Sequence, residues 1–399
     1  MTGALFSCYI ADCEHEVALQ KGDGFTLLSS LIMDTGANSK LPTQLSEKQA
    51  SKLKHIEACL LPASQYLKSA GFETVVLKNQ SMAGLSLSDL SLTTQFLGHS
   101  LGSPLMIAPM TGGTELSLLL NERWARAAEH FGLAFGVGSQ RLAIEDPKVA
   151  LSFNVRKFAK TAMVFANLGA AQIRKDSARL ATQAVDMIEA DALFIHLNPL
   201  QEACQSSGDT NFEGVFEEIA IVADLLKARS IPVLVREVGF GLSEEAARLL
   251  ISAGVSGLDC AGAGGTSWAK VEGLCASKEQ YRRLGEIFGE WGIPTAQSIQ
   301  NVRNVSQDIP LIATGGIRSG LDVAKALALG ADIAAMAQPM LSAAIQGEQA
   351  LFAFIEQILL ELKIAMFASG ARSPSHLRHD YSSVGVASMC TDGLRSKCS

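Results

Sequence analysis

ALFIHLNPLQEACQSSGDTNFEG, residues 192–214, begins as an apolar, β-branched run that predicts a buried strand and then continues into a polar loop. Four polar side chains follow at the end of the strand: His196, Asn198, Gln201 and Glu202. Core packing does not require such a set. It suits a polar, phosphate-bearing substrate held through a divalent metal, with Glu202 as the oxygen ligand. A polar loop on an ordinary α/β protein is the alternative.

Apolar runs of the length of buried strands recur along the chain, and helical patterns separate most of them. The eight predicted strands are residues 105–110, 133–137, 162–168, 192–197, 232–238, 257–260, 310–313 and 332–337. Their nearly continuous apolar character fits a parallel sheet that is buried on both faces. Eight alternating units in 399 residues predict an α/β fold, a (β/α)8 TIM barrel rather than an open doubly wound sheet.

The barrel is predicted to span residues 47–377, with an N-terminal helix that begins near Ser46. Residues 1–46 show no sustained periodicity and are predicted to be an N-terminal appendage without an assigned role. Residues 378–399 are predicted to be a C-terminal tail. The sequence therefore predicts one large domain with a short extension at each end.

Composition excludes several classes of protein. With 48% hydrophobic and 18% charged residues, the chain can bury a large core, and its net charge of −7 offers no basic surface for nucleic acid. The apolar run 351–370 contains Glu356, Glu361 and Lys363, which predicts an amphipathic helix rather than a membrane span. The first residues lack the basic and apolar regions of a signal peptide, so we expect a cytoplasmic protein.

The ends of the predicted strands share a polar and glycine-rich character. In chain order they read APMTGGT, GSQR, NLGA, HLNPLQE, REVGFG, AGAGGT, TGGIR and MAQP. In a barrel, the carboxyl ends of all strands meet on one face, which is where the active sites of this fold lie. The sequence therefore predicts a single site built from these eight segments.

Two glycine-rich loops predict a phosphate site. ATGGIRSGLDVAKALALGAD, residues 313–332, joins a strand end to a helix that Ser319 and Asp322 would open as a capping box. The backbone N–H groups of Gly315–Ile317 and the helix dipole would bind an anion there. The loop AGAGGTSW adds Thr266, so the pair predicts a phosphate-bearing cofactor rather than a tight turn without a ligand. Its glycines do not form a dinucleotide fingerprint.

These motifs together carry a resemblance to a known family. In order, KHI, MTGG, GSQR, NLGA, HLNPLQE, EVGFG, DCAGAGGTSW and ATGGIRSGLDVAKALALGA resemble segments of the type 2 isopentenyl-diphosphate isomerases, from about Lys52 to Leu377. HLNPLQE followed by GGTSW is more specific than TGGIR, which other FMN barrels share. The resemblance implies interconversion of isopentenyl and dimethylallyl diphosphate by a homo-oligomer, a tetramer or larger. It also implies reduced FMN as acid–base cofactor, NADPH as flavin reductant and Mg²⁺ on the diphosphate.

The resemblance also implies roles for individual residues. Gln201, His196 and Asn198 would be catalytic, and Glu202 would contact the metal. The implied substrate-binding residues are Lys52, His55, Ser139, Gln140, Arg141 and Gln201. The implied flavin-binding residues are Pro109, Met110, Thr111, Ser139, Asn167, Arg236, Thr266, Gly315, Gly316, Ile317, Arg318, Ala337 and Gln338. The sequence offers no carboxylate–histidine pair near Gln201 strong enough for this proton transfer, so the transfer is expected to fall to the reduced flavin.

Three departures from the family pattern bear on substrate affinity more than on flavin binding. Ser51 replaces an arginine before Lys52, Arg236 replaces a lysine, and QSMAGL replaces an Ala-Leu-Pro-Glu element. A flavin-binding paralogue without isomerase activity is therefore one alternative function. An FMN-dependent 2-hydroxy-acid oxidase or dehydrogenase is another, but those enzymes have a catalytic histidine after the sixth strand, where DCAGAGGTSW has none.

Overall fold

The chain enters its central barrel through one helix and three short strands: α1 (Glu47–Leu60), β1 (Val75–Leu77), β2 (Thr94–Phe96) and β3 (His99–Leu101). This computed structural model describes residues 46–174, 176–378 and 380–383. Ser46 caps α1 and forms a capping box with Gln49, which confirms the predicted helix start. The strands β2 and β3 pair as an antiparallel hairpin.

Eight parallel strands close into the predicted barrel, in the order β10-β11-β4-β5-β6-β7-β8-β9. They are β4 (Leu105–Ile107), β5 (Ala134–Gly136), β6 (Val164–Gly169), β7 (Ala192–Leu197), β8 (Val233–Glu237), β9 (Gly257–Asp259), β10 (Leu311–Thr314) and β11 (Ile333–Met336). All eight strand predictions are confirmed. Strand pairing aligns Gly169, His196, Arg236 and Asp259 across four neighbouring strands. Polar side chains from distant parts of the sequence therefore lie at the same height in the barrel.

Helices surround the barrel and cover its outer face. They are α2 (Glu115–Phe131), α3 (Arg141–Glu145), α4 (Ala170–Ile173), α5 (Ser177–Ile188), α6 (Pro199–Cys204), α7 (Val215–Lys227), α8 (Glu244–Ser252), α9 (Trp268–Cys275), α10 (Glu279–Phe288), α11 (Thr295–Val305), α12 (Gly320–Ala328), α13 (Gln338–Gln346) and α14 (Glu348–Ser369). Ser319 and Asp322 form the predicted capping box of α12. None of the helices in the described ranges is both long and apolar enough to cross a membrane.

Apolar side chains fill both the barrel interior and the layer between strands and helices. Inside the barrel, the rings of Phe165 and Phe194 stack with their centroids 4.6 Å apart. Outside it, Trp124 and Phe135 belong to the larger cluster that the helices cover. Full burial of one such side chain contributes about 1.5–3 kcal/mol, so this double core makes a rigid support for the strand ends.

One further described strand follows residue 377, the predicted C-terminal boundary of the barrel domain. A short strand, β12 (Tyr381–Ser383), pairs antiparallel with β1 and therefore belongs to the folded unit. Three residues give no usable period in the sequence, because strand alternation needs a longer run to be recognised. The rest of the predicted tail and nearly all of the predicted appendage, residues 384–399 and 1–45, lie outside the described residues.

Candidate active site

A cavity of about 320 Å³ opens at the carboxyl ends of the barrel strands, where the sequence predicts the site. All of the predicted catalytic, substrate-binding, flavin-binding and metal-contacting residues line it, with one exception. Trp268, Gln172 and Cys59, to which the sequence analysis gave no role, line it as well. The barrel therefore brings the predicted residues together in one place.

Gln140 is the exception. Its side chain is fully buried, its amide N–H donates to the carbonyl of Ala184 at 2.8 Å, and its amide oxygen accepts from the backbone N–H of Asn167 at 2.9 Å. Both ends of the side chain are therefore engaged within the protein. Gln140 links β6 to α5, and a direct contact of its side chain with substrate is not supported.

The polar residues after β7 form a connected group. Because Pro199 starts α6 directly after Asn198, Gln201 and Glu202 lie in its first turn. The Asn198 amide N–H donates to Gln201 Oε1 at 3.3 Å and to Glu202 Oε1 at 3.0 Å, while the Asp209 N–H donates to Glu202 Oε2 at 2.8 Å. Asn198 Oδ1 is buried and has no hydrogen-bond partner among the described residues.

Glu272 is a buried carboxylate that lies beside Gln201 and had no role in the sequence prediction. Its carboxylate is 3% exposed, accepts from the Gln201 amide N–H at 2.8 Å, and lies 3.3 Å from Nε2 of His55. A carboxylate–histidine pair therefore does lie beside Gln201. The sequence does not display this pair, because the two residues meet only when α1 packs against α9.

His196 is held in its neutral form. Since Asn167 Nδ2 donates to the carbonyl of Val137, Asn167 Oδ1 accepts from Nδ1 of His196 at 2.9 Å. Burial within the cavity wall, together with the charges of Arg236 and Lys52, lowers the pKa of His196 to about 3. At neutral pH the ring can accept a hydrogen bond at Nε2 but has no proton to give there.

Two cationic side chains approach the cavity from the α1 side. Lys52 donates to the carbonyl of Ser139 at 3.4 Å, and burial lowers the pKa of Lys52 to about 8. Arg141 opens α3 and pairs through Nε with Glu145 at 2.8 Å. Ser51, the departure from the family pattern, is half-buried on α1 but does not line the cavity.

Arg236 lies at the bottom of the cavity on β8 and is 6% exposed. Its Nε is 3.3 Å from Asp259 Oδ2, and its guanidinium carbon lies 5.5 Å from the centre of the Phe194 ring. Nε is buried without a hydrogen bond to any described residue. The fixed positive charge of the Arg236 guanidinium in the cavity wall can stabilise an electron-rich part of a ligand.

The two glycine loops pack against each other beside Arg318. A Cβ atom on Gly315 would lie 2.1 Å from the carbonyl oxygen of Gly262, and one on Gly265 would lie 2.7 Å from the backbone N of Gly316. Only glycine fits at these positions, so the two loops can approach each other this closely. Thr266 and Arg318 line the same part of the cavity, which gives it the donors expected of a phosphate cradle.

Glu272, Trp268 and Asp259 are among the contributors to the site that were not identified from the sequence. Glu272 lies four residues after Trp268, so both are on the same face of α9. The Trp268 ring meets His55 edge to face, with ring centres 5.6 Å apart. A carboxylate one turn after GGTSW was the available signal for Glu272. Asp259 had no signal beyond its place at a strand end.

Residues 201–383 of this barrel match the family model described as FMN-dependent dehydrogenase. Curated relatives are more specific. The chain is 44% identical to the isopentenyl-diphosphate delta-isomerase of Nostoc sp. over 86% of its own length and 97% of the relative's. It is 47% identical to the isopentenyl-diphosphate delta-isomerase of Synechococcus sp. over 86% of its own length and 96% of the relative's. The chain therefore belongs to the isopentenyl-diphosphate delta-isomerase family.

Solved structures support the fold alone. A lactate oxidase from Pediococcus acidilactici superimposes with a TM-score of 0.62 at 17% identity, covering 87% of this chain and 97% of that one. A mandelate oxidase variant superimposes with a TM-score of 0.57 at 19% identity, covering 85% and 98%. At such identities, the barrel is shared but the reaction does not follow from it.

Proposed function

We propose that this protein interconverts isopentenyl diphosphate and dimethylallyl diphosphate, with reduced FMN as acid–base cofactor and Mg²⁺ on the diphosphate. One observation carries the proposal: a single cavity is lined by the glycine cradle, by the cations Lys52 and Arg141, and by Gln201, whose amide donates to Glu272. A phosphate-bearing cofactor and a diphosphate substrate thus both have partners there. Family membership points to the same reaction.

The residues present fit FMN. The glycine cradle and Thr266 would hold its phosphate, and the cationic side chain of Arg236 would lie beside an electron-rich edge of the ring system. Asn167, Ser139 and the segment Pro109–Thr111 line the cavity between these two ends. Reduced FMN, when bound, would supply a proton donor and acceptor that the neutral His196 and the Gln201 amide cannot supply.

The other end of the cavity fits a diphosphate. Lys52 and Arg141 would neutralise its charge, and Arg141 offers a planar guanidinium for paired phosphate contacts. No group of three or more His, Cys, Asp or Glu residues in the described ranges could hold a metal. Mg²⁺ would therefore be held by Glu202 and the substrate's own phosphate oxygens, as is usual for this ion.

The protein's own residues orient the reacting part of the substrate. Glu272 accepts from the Gln201 amide and Asn198 donates to it, so both ends of that amide are fixed. Gln201 can then hold the alkene in place beside His55, which also lines the cavity. The overall reaction moves one proton onto the terminal alkene carbon and removes one from C2, with no net redox change.

Oxidation of a 2-hydroxy acid is less well supported. Such chemistry needs a base that takes the substrate's proton. Among the residues that line the cavity, the histidines are His55 and His196, and neither lies in the loop after β9. A flavin-binding paralogue without isomerase activity stays an alternative because of Ser51 and Arg236. NADPH as the reductant and a homo-oligomer of four or more subunits are supported by the resemblance alone, and a cytoplasmic location is supported by the sequence composition.

Substitution Glu202→Gln tests the diphosphate end of the cavity. It should abolish Mg²⁺-dependent turnover while leaving FMN affinity unchanged, because the carboxylate is proposed to contact the metal and not the flavin. Turnover would be followed against Mg²⁺ concentration, and flavin binding by absorbance. Unchanged activity with the same Mg²⁺ dependence would show that the metal is held elsewhere. The exposed Glu286→Gln on α10 is a matched control.

A further inference from the structure

Residues 64–70, here called the strap, lie directly against the two glycine loops. The Tyr66 N–H donates to the carbonyl of Gly265 at 2.8 Å, and the Ser267 N–H donates to the carbonyl of Ser64 at 2.8 Å. Gln65 and Thr266 form an antiparallel bridge between these bonds. The strap thus adds a short strand-like segment to the loop that carries Thr266.

The strap also contacts the second glycine loop. A Cβ atom on Gly316 would lie 2.7 Å from the Cβ of Ala70, and one on Gly264 would lie 2.3 Å from the Ala70 backbone N. The Ala70 carbonyl accepts from the Ala296 N–H at 2.9 Å. The strap is therefore packed against both loops of the cradle and is anchored to α11.

One side chain of the strap joins the polar groups of the cradle. Gln65 Oε1 accepts from Arg318 Nη2 at 2.7 Å, and Gln65 Nε2 donates to Thr266 Oγ1 at 3.1 Å. Arg318 Nη1 donates to Gln338 Oε1 at 3.0 Å. Both side-chain acceptors of this guanidinium are neutral amides, which fix its plane without cancelling its charge. That combination suits a cation meant for an anionic ligand.

We propose that Gln65 is a positioning residue of the FMN phosphate site, which acts by holding Arg318 and Thr266 in place for the phosphate. This inference rests on the proposed function, because it requires FMN as the cofactor. Gln65 itself does not line the cavity. Its effect must therefore pass through Arg318 and Thr266, and it must be specific to the phosphate end of the cofactor.

Riboflavin provides the discriminating probe, because it has the same ring system as FMN and no phosphate. Gln65→Ala should weaken FMN binding about tenfold and leave riboflavin binding unchanged, as measured by fluorescence titration. Gln65→Glu should weaken FMN binding at least as much, since a carboxylate would neutralise Arg318. Gln297→Ala, an exposed glutamine bonded to Asn301 on α11, is the matched control and should bind both flavins normally.

A double-mutant cycle tests whether Gln65 acts through Arg318. The double variant Gln65→Ala with Arg318→Ala should bind FMN little more weakly than Arg318→Ala alone. Equal FMN affinity in wild type and Gln65→Ala would overturn the inference, as would an equal loss of FMN and riboflavin affinity, which signals general damage. A wild-type protein that binds FMN no more tightly than riboflavin would instead overturn the proposed function.

Discussion

At the centre of the site, one buried carboxylate fixes the orientation of an amide. Glu272 accepts from Gln201 and lies beside His55, while Asn198 donates to the other end of the Gln201 side chain. An amide free to rotate would present its oxygen or its nitrogen to a substrate with equal ease. The carboxylate removes that freedom, so Gln201 presents one face to the cavity.

Replacement of Glu272 should therefore lower turnover. Glu272→Gln removes a hydrogen bond to a charged group, worth about 1.5–3 kcal/mol, so we expect kcat to fall roughly tenfold to a hundredfold. FMN affinity should not change, because Glu272 is not proposed to contact the flavin. Steady-state kinetics with a parallel flavin titration would measure both. Wild-type kcat in the variant would show that the Gln201–Glu272 bond is not used.

Lys52 should make substrate affinity depend on pH. Its pKa is lowered to about 8 by burial, so the side chain is charged below pH 8 and loses its charge as the pH rises through that value. The KM for isopentenyl diphosphate should therefore increase above about pH 8. In Lys52→Arg, whose side chain stays charged, this increase in KM at high pH should disappear. A KM that is independent of pH between 7 and 9 in the wild type would contradict the role of Lys52.

At the scale of elements, the cradle depends on the close approach of two loops. Gly316 has φ of +67°, and a Cβ atom there would lie 2.6 Å from the Gly264 carbonyl oxygen. Gly254, after α8, has φ of +80° but no atom within 4 Å of an added Cβ. The two glycines share the left-handed conformation and differ in their surroundings, which makes them a matched pair.

Alanine substitution at each glycine should separate the cost of the left-handed conformation from the cost of the steric clash. Gly254→Ala should cost about 1–2 kcal/mol for the left-handed conformation. Gly316→Ala should cost about 1–3 kcal/mol more from overpacking, and it should also weaken FMN binding. Thermal or denaturant unfolding and a flavin titration would measure these effects. Equal destabilisation of the two variants, with normal FMN binding in both, would mean that the loops can separate freely.

The barrel strands were predictable because each is a continuous apolar run between polar loops. The ends of the strands were harder to predict. The predicted strand 105–110 ends at Ile107, because the chain turns at Pro109, which lacks an N–H for the strand ladder. The strand β12 was missed, since three residues carry no period. Local pattern therefore identified the elements, while their ends depended on neighbouring segments.

At the scale of the whole molecule, the site residues that follow a strand end could be predicted from the sequence. The residues that reach the site through packing between helices could not. His196, Asn198, Gln201 and Glu202 share one short segment, so the sequence displays them together. Glu272 and Gln65 reach the site only because α9 and the strap pack against other parts of the chain. Such contacts join residues 70 to more than 200 positions apart, and no local pattern records them.

The most direct test of the proposed function is an anaerobic assay of the FMN-loaded protein with isopentenyl diphosphate and Mg²⁺, before and after chemical reduction of the flavin. We expect dimethylallyl diphosphate to form only with reduced FMN, and the flavin to remain reduced throughout. We expect no oxidation of lactate or glycolate by the oxidised form. A folded, flavin-loaded protein that forms no dimethylallyl diphosphate when reduced, or that oxidises either hydroxy acid, would contradict the proposed function.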